Sequence, residues 1–327
     1  MKLLQVENLR VTLDTLDGPI EIIKEVDFSI EKGERLGIVG ESGCGKSLTA
    51  LAIISLLSPK FKVRGQILLN GENINLLNED QMCRIRGNKI SMIFQEPMTA
   101  LNPVKTIGAQ ISESLILHRK MKKAQIRHEV EQLLYSVGLP VDRFGLNLYP
   151  HQLSGGQRQR VMIAMAIACK PDILIADEPT TALDVTVQEQ ILELIKDLVA
   201  KFGMSLIMIS HDLGVIAQTT QKVMIMYAGR VMEQGTTLHV FKHMSHPYTK
   251  GLFAAIPKPG SSQHKSKNRL STIPGNVPDP TLAHKGCIFT PRCSFASDIC
   301  RESEPMQSDI ALDHHIRCFH PIIGNQG

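Results

Sequence analysis

The stretch RLGIVGESGCGKSLTALAII, residues 35–54, decides the fold class of this chain. Its first part, Arg35 to Gly40, is a short, mostly apolar run that ends in glycine, which is typical of a buried strand. A helical pattern follows from about Lys46 to Leu57. The sequence therefore predicts a buried strand, a glycine-rich loop and a helix in direct succession.

The loop between this strand and helix predicts a phosphate-binding site. Residues 40–47, GESGCGKS, match the pattern GxxxxGK[ST], in which backbone N–H groups and a helix N-terminus point at phosphate oxygens. Lys46 would reach the β- and γ-phosphates, and the Ser47 hydroxyl would bind Mg²⁺. A chance glycine-rich turn, the alternative, would need neither strand nor helix. The residues predicted to bind the nucleotide here are Gly40, Ser42, Gly43, Cys44, Gly45, Lys46 and Ser47.

Strands and helices alternate through the middle of the sequence. Predicted strands are KISMIFQ (89–95), DILIAD (172–177) and SLIMIS (205–210), and helical patterns lie at 126–136, 156–168 and 187–201. This alternation predicts an α/β fold with a parallel sheet built from right-handed crossovers. Before it, LLQVENLRVTL and IEIIKEVDFSI alternate in the manner of half-buried antiparallel strands; after it, KVMIMY and GRVMEQG predict a hairpin.

Composition excludes several classes of protein. The 327 residues suggest about two domains, and 43% hydrophobic with 21% charged residues is an ordinary globular composition. The formal charge of +4 is too balanced to favour nucleic acid as the main partner. The longest apolar run, Val161 to Cys169, is far shorter than the about 20 residues that cross a bilayer. Because MKLLQVENLR lacks the apolar middle of a signal peptide, we expect the protein to stay in the cytosol.

Two further segments carry candidate functional groups. Asp177 ends a predicted buried strand and Glu178 follows it, so Asp177 could organise the same Mg²⁺ through water while Glu178 polarises the attacking water as general base. A solvated loop is the alternative for an isolated Asp-Glu pair. The second segment is a helix start with a serine cap and glycine N–H groups, which predicts either a second anion site or an ordinary capped helix. Its residues are Ser154, Gly155, Gly156 and Gln157.

Together these motifs resemble those of ATP-binding cassette (ABC) ATPases. Three more residues fit the family's pattern in order: Gln95 resembles the Q-loop glutamine, Asp184 the D-loop aspartate and His211 the switch histidine. The resemblance implies a RecA-like parallel sheet core, an antiparallel β subdomain and a helical subdomain. It implies hydrolysis of ATP with Mg²⁺. In this reaction Ser47, Gln95 and Asp177 would bind the Mg²⁺ ion, and Glu178, His211 and Gln95 would be the catalytic residues.

In this family the phosphate loop of one subunit closes on the LSGGQ motif of another. The resemblance therefore implies a dimer in which residues 154–157 and Asp184 act on ATP across the subunit interface.

One departure from the family pattern concerns adenine, which many members stack on an aromatic residue ahead of the second strand. The stretch TLDGPIEII has no aromatic residue, and only Leu16 or Ile22 could offer an apolar face.

Longer strings are similar to those of the dipeptide/oligopeptide permease ATPases, and IFQEPMTALNPV looks more like the D-type subunit than its F-type partner. This implies peptide uptake, an F-type paralogue as heterodimer partner or a second copy of the chain, two transmembrane permease subunits and an extracytoplasmic peptide-binding protein. The chain would lie on the cytoplasmic face of the inner membrane. Nickel import is the nearest alternative; an ABC ATPase acting on DNA or ribosomes is a more distant one.

The C-terminal part changes character at Pro257, where a Lys- and Ser-rich stretch predicts a linker. We therefore expect a cassette over 1–257 and an extension over 258–327. The extension holds a C-x5-C-x6-C-x17-C array, whose four thiolates could bind Zn²⁺ or a 4Fe-4S cluster; the resemblance to peptide-permease ATPases favours the cluster. The array comprises Cys287, Cys293, Cys300 and Cys318, with His284, His314, His315 and His320 as alternative ligands or exposed bystanders. Cys44, Cys83 and Cys169 are interpreted as packing residues.

Overall fold

The computed structural model describes residues 2–181, 183–256, 273–282 and 284–322. The strands are β1 (Lys2–Thr15), β2 (Gly18–Glu31), β3 (Arg35–Val39), β4 (Phe61–Leu69), β5 (Glu72–Asn73), β6 (Ile90–Ile93), β7 (Ile173–Asp177), β8 (Ser205–Ser210), β9 (Lys222–Tyr227), β10 (Arg230–Thr236), β11 (Ser308–Ala311) and β12 (His314–Ile316). The helices are α1 (Lys46–Ile53), α2 (Glu79–Ile85), α3 (Pro97–Ala100), α4 (Ile107–His118), α5 (Lys123–Ser136), α6 (Gly155–Ile167), α7 (Val185–Phe202), α8 (Leu213–Thr219), α9 (Thr237–His243), α10 (Pro247–Ala254) and α11 (Asp298–Glu302). Short 3-10 turns lie at Ile74–Leu76, Pro150–Gln152 and Thr290–Arg292.

The main sheet has the strand order β11-β12-β10-β9-β3-β8-β7-β6. Its strands β9, β3, β8, β7 and β6 are parallel, as the alternation of strands and helices predicts. Strands β6, β7 and β8 are buried at every residue, which explains why they read as continuous apolar runs rather than alternating ones. The carboxyl ends of β3, β6, β7 and β8 therefore face one edge, where the motifs of the sequence lie.

The N-terminal strands form a second, antiparallel sheet with the order β2-β1-β4-β5. Its buried residues pack in one core with α1 and with residues of the main sheet such as Ile38, Ile209 and Met224. On the other side, α4 packs against α5 and α6. The predicted cassette architecture, with a parallel core, an antiparallel sheet and a helical region, is confirmed.

Two predicted boundaries need correction. The helix expected to run to Leu57 ends at Ile53, and Ile54 already leaves the helical conformation. The strand expected over 89–95 covers only Ile90–Ile93, so that Gln95 lies beyond it and is exposed. This early end frees the Gln95 side chain from the sheet. Among the described residues, no helix is both long and apolar enough to cross a membrane.

The C-terminal extension joins the main sheet at its edge. Strand β12 pairs antiparallel with β10, and β11 pairs with β12. Glu233 of β10 is fully buried and accepts hydrogen bonds from His314 Nε2 (2.8 Å), the Ser245 N–H (2.9 Å) and the His246 N–H (3.0 Å). His314 is thus a buried structural residue, which corrects the interpretation of all four histidines as exposed bystanders. The predicted linker after Pro257 lies in 257–272, outside the described residues, and the boundary at 257 stays a prediction.

Candidate nucleotide site

The glycine-rich loop turns from the end of β3 into α1 over residues 40–45. Gly45 caps α1 with a φ of +102°, and a Cβ there would lie 2.3 Å from Ile23 Cδ1. A Cβ on Gly40 would lie 2.1 Å from the Met226 carbonyl oxygen. Both positions need glycine, the first for its backbone conformation and the second for its close approach to a neighbouring strand.

Lys46 is held inside this loop. Its side chain is 5% exposed, and Nζ donates to the carbonyl oxygens of Gly40 (2.8 Å) and Glu41 (3.1 Å). Beneath it lies Cys44, whose Sγ is 4.0 Å from Lys46 Nζ and whose pKa is raised by burial. The ammonium is therefore buried in the concave loop where the motif predicts phosphate oxygens.

Ser47 and Asp177 meet next to the loop, although 130 positions separate them in the sequence. The Ser47 hydroxyl donates to Asp177 Oδ1 over 3.0 Å. Burial raises the pKa of Asp177, and the hydrogen bond from Ser47 opposes that shift. A hydroxyl and a carboxylate at this distance are hard oxygen donors that fit Mg²⁺.

Glu178 is the point on which the other predicted residues converge. Its Oε2 lies 3.3 Å from Gln95 Nε2, 3.2 Å from His211 Nδ1 and 3.1 Å from Thr181 Oγ1, and its Oε1 lies 4.0 Å from Lys46 Nζ. Glu178 also has a φ of +44°, a backbone conformation that costs free energy and is common at functional sites. Sequence reasoning missed Thr181; its only signal was its place in ADEPTTALD, three residues after Glu178.

Most of these groups surround one cavity of about 530 Å³, although Asp177 and Thr181 are not part of its lining. It is lined by Ser42, Gly43, Gly45, Lys46, Ser47, Leu48, Gln95, Glu178 and His211. All of them except Leu48 were predicted from the sequence. The chain thus brings the phosphate loop, the carboxylate and its two partners into a single site.

The LSGGQ segment lies elsewhere on the molecule. Ser154 caps α6: its Oγ accepts from the Gln157 N–H (3.3 Å), and Gln157 Oε1 accepts from the Ser154 N–H (2.9 Å). A Cβ on Gly156 would lie 2.8 Å from Val187 Cγ1, so α6 packs closely on α7 there. Asp184 caps α7 by accepting from the Val187 N–H (3.0 Å). Residues 154–157 and Asp184 do not line the phosphate cavity of the described chain, and their predicted roles stay predictions.

A second, narrow cavity shares Gly43 with the phosphate cavity. Ile22 and Ala228 form one side of it, and the extension supplies several residues, among them Val277, Pro278, Pro280, Leu282 and Ile288. Of the two residues predicted to offer adenine an apolar face, only Ile22 lies here. Leu16 is fully exposed to solvent.

The four cysteines of the extension line one small cavity, together with Phe289, Phe295, Phe319 and His320. Burial, and then the three other thiols, raise the pKa of Cys318 to about 12. Within the described residues, however, no group of three or more His, Cys, Asp or Glu side chains is placed to hold a metal ion. The predicted metal site is therefore not shown. Of the three cysteines interpreted as packing residues, Cys44 and Cys169 are buried, whereas Cys83 is exposed.

Comparison with known proteins places this site in a family. The model described as "ABC transporter" matches residues 23–181, and "Oligopeptide/dipeptide transporter, C-terminal region" matches residues 232–300. The oligopeptide transport ATP-binding protein OppD of Salmonella typhimurium is 46% identical over 98% of this chain and 94% of its own length. The chain belongs to the oligopeptide/dipeptide ABC transporter ATP-binding proteins.

Other relatives agree with this assignment. The dipeptide transport ATP-binding protein DppD of Bacillus subtilis is 47% identical, over 97% of this chain and 94% of its own length. A dimeric, post-hydrolysis structure of the ATP-binding cassette MJ0796 bound to ADP and Pi is 30% identical, has a TM-score of 0.64 and covers 72% of this chain and 98% of that one. The predicted resemblance to this family, including its D-type subunit, is confirmed. The predicted activity, that of an ABC ATPase which couples ATP hydrolysis to transport, is confirmed as well.

Proposed function

We propose that this chain powers the import of dipeptides or oligopeptides across the cytoplasmic membrane by hydrolysing ATP. The observation that carries the proposal is the convergence of Gln95, His211 and Lys46 on Glu178, in the cavity that the glycine-rich loop also lines. The peptide class follows from what the relatives are named for, because an ATPase subunit does not touch the cargo. The test is ATPase activity of the assembled transporter with peptide-loaded or nickel-loaded binding protein. Stimulation by nickel alone would contradict peptide import.

The chemistry follows from the groups that line the cavity and from Asp177, which is hydrogen-bonded to Ser47. Bound Mg²⁺ would neutralise charge on the β- and γ-phosphate oxygens, and Ser47 and Asp177, with Gln95, are the residues that would hold it. Lys46 would bind the β- and γ-phosphates from the loop side. Glu178 would accept the proton of the attacking water, and His211 and Gln95 fix its carboxylate from two sides.

The LSGGQ segment completes the site in a dimer. Ser154 is exposed, and because its Oγ accepts a hydrogen bond from the Gln157 N–H, its proton remains available to a phosphate oxygen. The N-terminus of α6 also favours an anion. We therefore place residues 154–157 and Asp184 across the interface, on ATP held by an F-type paralogue or a second copy of this chain. The cassette MJ0796, which is dimeric and bound to ADP and Pi, supports the dimer in this proposal.

Exposed apolar side chains on the segment that follows Gln95 in the sequence suit a membrane partner. Met98 on α3 is 65% exposed, Val104 between α3 and α4 is 81% exposed, and Ile116 and Leu117 on α4 are exposed as well. Exposed apolar surface of this kind is typical of an interaction site. We infer that two transmembrane permease subunits contact this region. The chain would then lie on the cytoplasmic face of the membrane and meet the extracytoplasmic peptide-binding protein only indirectly.

We assign the adenine base to the surface around Ile22 next to Gly43, because the narrow cavity itself, of about 40 Å³, is too small to enclose the ring. Ile22 supplies an apolar wall there, so Ile22→Asn is expected to weaken ATP binding about tenfold, since losing such a contact costs about 1.5 kcal/mol. Leu16→Asn is the matched control, because Leu16 lies in the same hairpin and is fully exposed. Affinity is measured by titration with ATP. Equal affinity of both variants would contradict this assignment.

We further propose that the cysteine array holds a 4Fe-4S cluster. What supports it is the placement of four thiols around one cavity walled by phenylalanines. In a site with a single Zn²⁺ ion, each sulfur lies about 2.3 Å from the metal, whereas a cluster of four irons holds its sulfur ligands farther apart. Four thiolates can also hold a single Zn²⁺ ion, which is the alternative that metal analysis distinguishes.

Anaerobically purified protein should accordingly be brown and contain about four irons per chain. Cys318→Ser should lose iron, because it removes one of the four ligands. Cys83→Ser is the matched control, because Cys83 is exposed and lies outside the cavity. Stoichiometric zinc without iron would favour the alternative, and protein with neither metal would overturn the site.

A further inference from the structure

An ion pair joins the C-terminal extension to the phosphate loop. Arg292 Nη1 lies 2.6 Å from Glu41 Oε2, and Nη2 lies 3.0 Å from Oε1, so both carboxylate oxygens are bound. The Arg292 side chain is only 4% exposed. Two parallel charge-assisted bonds of this kind are strong and fix orientation as well as distance. Glu41 is the first residue after Gly40 in the loop that we assign to the phosphates.

Glu41 controls the shape of that loop through its backbone. Its N–H donates to the Tyr248 hydroxyl (3.0 Å), and its carbonyl oxygen accepts from the Cys44 N–H (3.3 Å) and from Lys46 Nζ (3.1 Å). Holding the Glu41 side chain therefore holds the peptide groups on both sides of it. Peptide N–H groups bind phosphate well only when they already point inward.

Arg292 is itself rigidly placed. Its Nε donates to the Pro274 carbonyl oxygen (2.9 Å), and its guanidinium lies over the Tyr227 ring at 5.6 Å from the centroid. Tyr227 in turn packs edge-on against Phe289 of the extension. The hydrogen bonds from Arg292 to Glu41 are the largest influence on the pKa of Arg292, and they raise it. The Arg292 guanidinium is thus held in place by the folded extension.

We propose that Arg292 is a positioning residue for ATP: the extension holds the phosphate loop in its binding conformation through Glu41. The inference rests on the proposed function, since it requires ATP at this loop. Arg292 lies outside residues 23–181, which match the ABC transporter model, so nucleotide affinity in this chain depends on a segment that the cassette alone lacks. A loop that is only partly in its binding conformation binds more weakly in proportion to that fraction.

The test is a titration of the purified full-length chain with ATP and Mg²⁺. Arg292→Gln should raise the Kd for ATP about tenfold, a typical coupling between linked sites, and leave kcat at saturating ATP unchanged. Glu41→Ala should raise Kd similarly, and adding Arg292→Gln to it should raise Kd no further. Arg292→Lys should restore part of the affinity, because an ammonium can bind one of the two oxygens.

Glu304→Gln is the matched control. Glu304 joins the extension to the cassette through Arg230 Nη2 (2.7 Å), an ion pair that includes no residue of the phosphate loop, and its loss should leave the Kd for ATP unchanged. A folded Arg292→Gln protein with wild-type Kd overturns the proposal, as does an equal effect of Glu304→Gln or an additive effect of the double variant. If Arg292→Gln fails to fold, the Kd of Arg292→Lys takes its place: a Kd above the wild-type value supports the proposal, and a wild-type Kd overturns it. Failure of the wild-type chain to bind ATP would instead refute the proposed function.

Discussion

Replacing Glu178 with glutamine is expected to lower ATP turnover about a thousandfold while ATP binding stays intact. The amide fills the same space and can still be hydrogen-bonded by Thr181, but it cannot accept a proton from water. His211 and Gln95 surround the same oxygen, and the neighbouring carboxylate, Asp177, is hydrogen-bonded to Ser47 and assigned to Mg²⁺, so it should not replace Glu178 as the base. Phosphate release measures turnover, and titration with ATP measures binding.

The matched control for this prediction is Glu193→Gln. Glu193 is an exposed glutamate on α7, so the same change of charge there should leave turnover at the wild-type level. Robust hydrolysis by Glu178→Gln would show that Glu178 is not the general base. Loss of both binding and turnover would show instead that the carboxylate is needed to form the site.

The residues of the phosphate cavity were accessible from the sequence because each belongs to a short motif at the end of a strand. Gln95, Glu178 and His211 lie far apart in the chain, but each follows a buried strand of one parallel sheet. Carboxyl ends of parallel strands share an edge, so the fold class brings these side chains together. Thr181 was not predicted, because a single threonine in a turn belongs to no sequence pattern that indicates a function.

The extension was far less predictable. Strand β12 spans only His314–Ile316, too short for any alternation to be seen. Its burial depends on Glu233, a carboxylate that hydropathy would place at the surface but that His314 and two backbone N–H groups satisfy. A contact between residues distant in the chain leaves no local signal. The pairing of Arg292 with Glu41, 251 positions apart, is of the same kind.

The largest expected effect on binding is that of Lys46→Ala. The variant loses the ammonium that would face the β- and γ-phosphates, and losing one partner of a buried charge pair costs about 2–5 kcal/mol. ATP affinity should therefore fall about a hundredfold or more. At an ATP concentration of about 100 times the wild-type Kd, the wild type gains about 2.7 kcal/mol of stability and the variant only about 0.4 kcal/mol. Thermal unfolding with and without ATP measures this difference.

Lys46 also bonds the Gly40 and Glu41 carbonyl oxygens, so its loss changes the loop as well as the charge. Comparison of ATP with AMP separates the two effects. A direct contact with the β- and γ-phosphates predicts that the preference for ATP over AMP collapses in Lys46→Ala. A purely structural role predicts that both nucleotides weaken equally, which would contradict the assignment of Lys46. Lys60→Ala, at an exposed lysine after α1, should change neither affinity. The Arg292→Gln variant should instead weaken ATP binding without losing Lys46, because the ammonium remains while its loop relaxes.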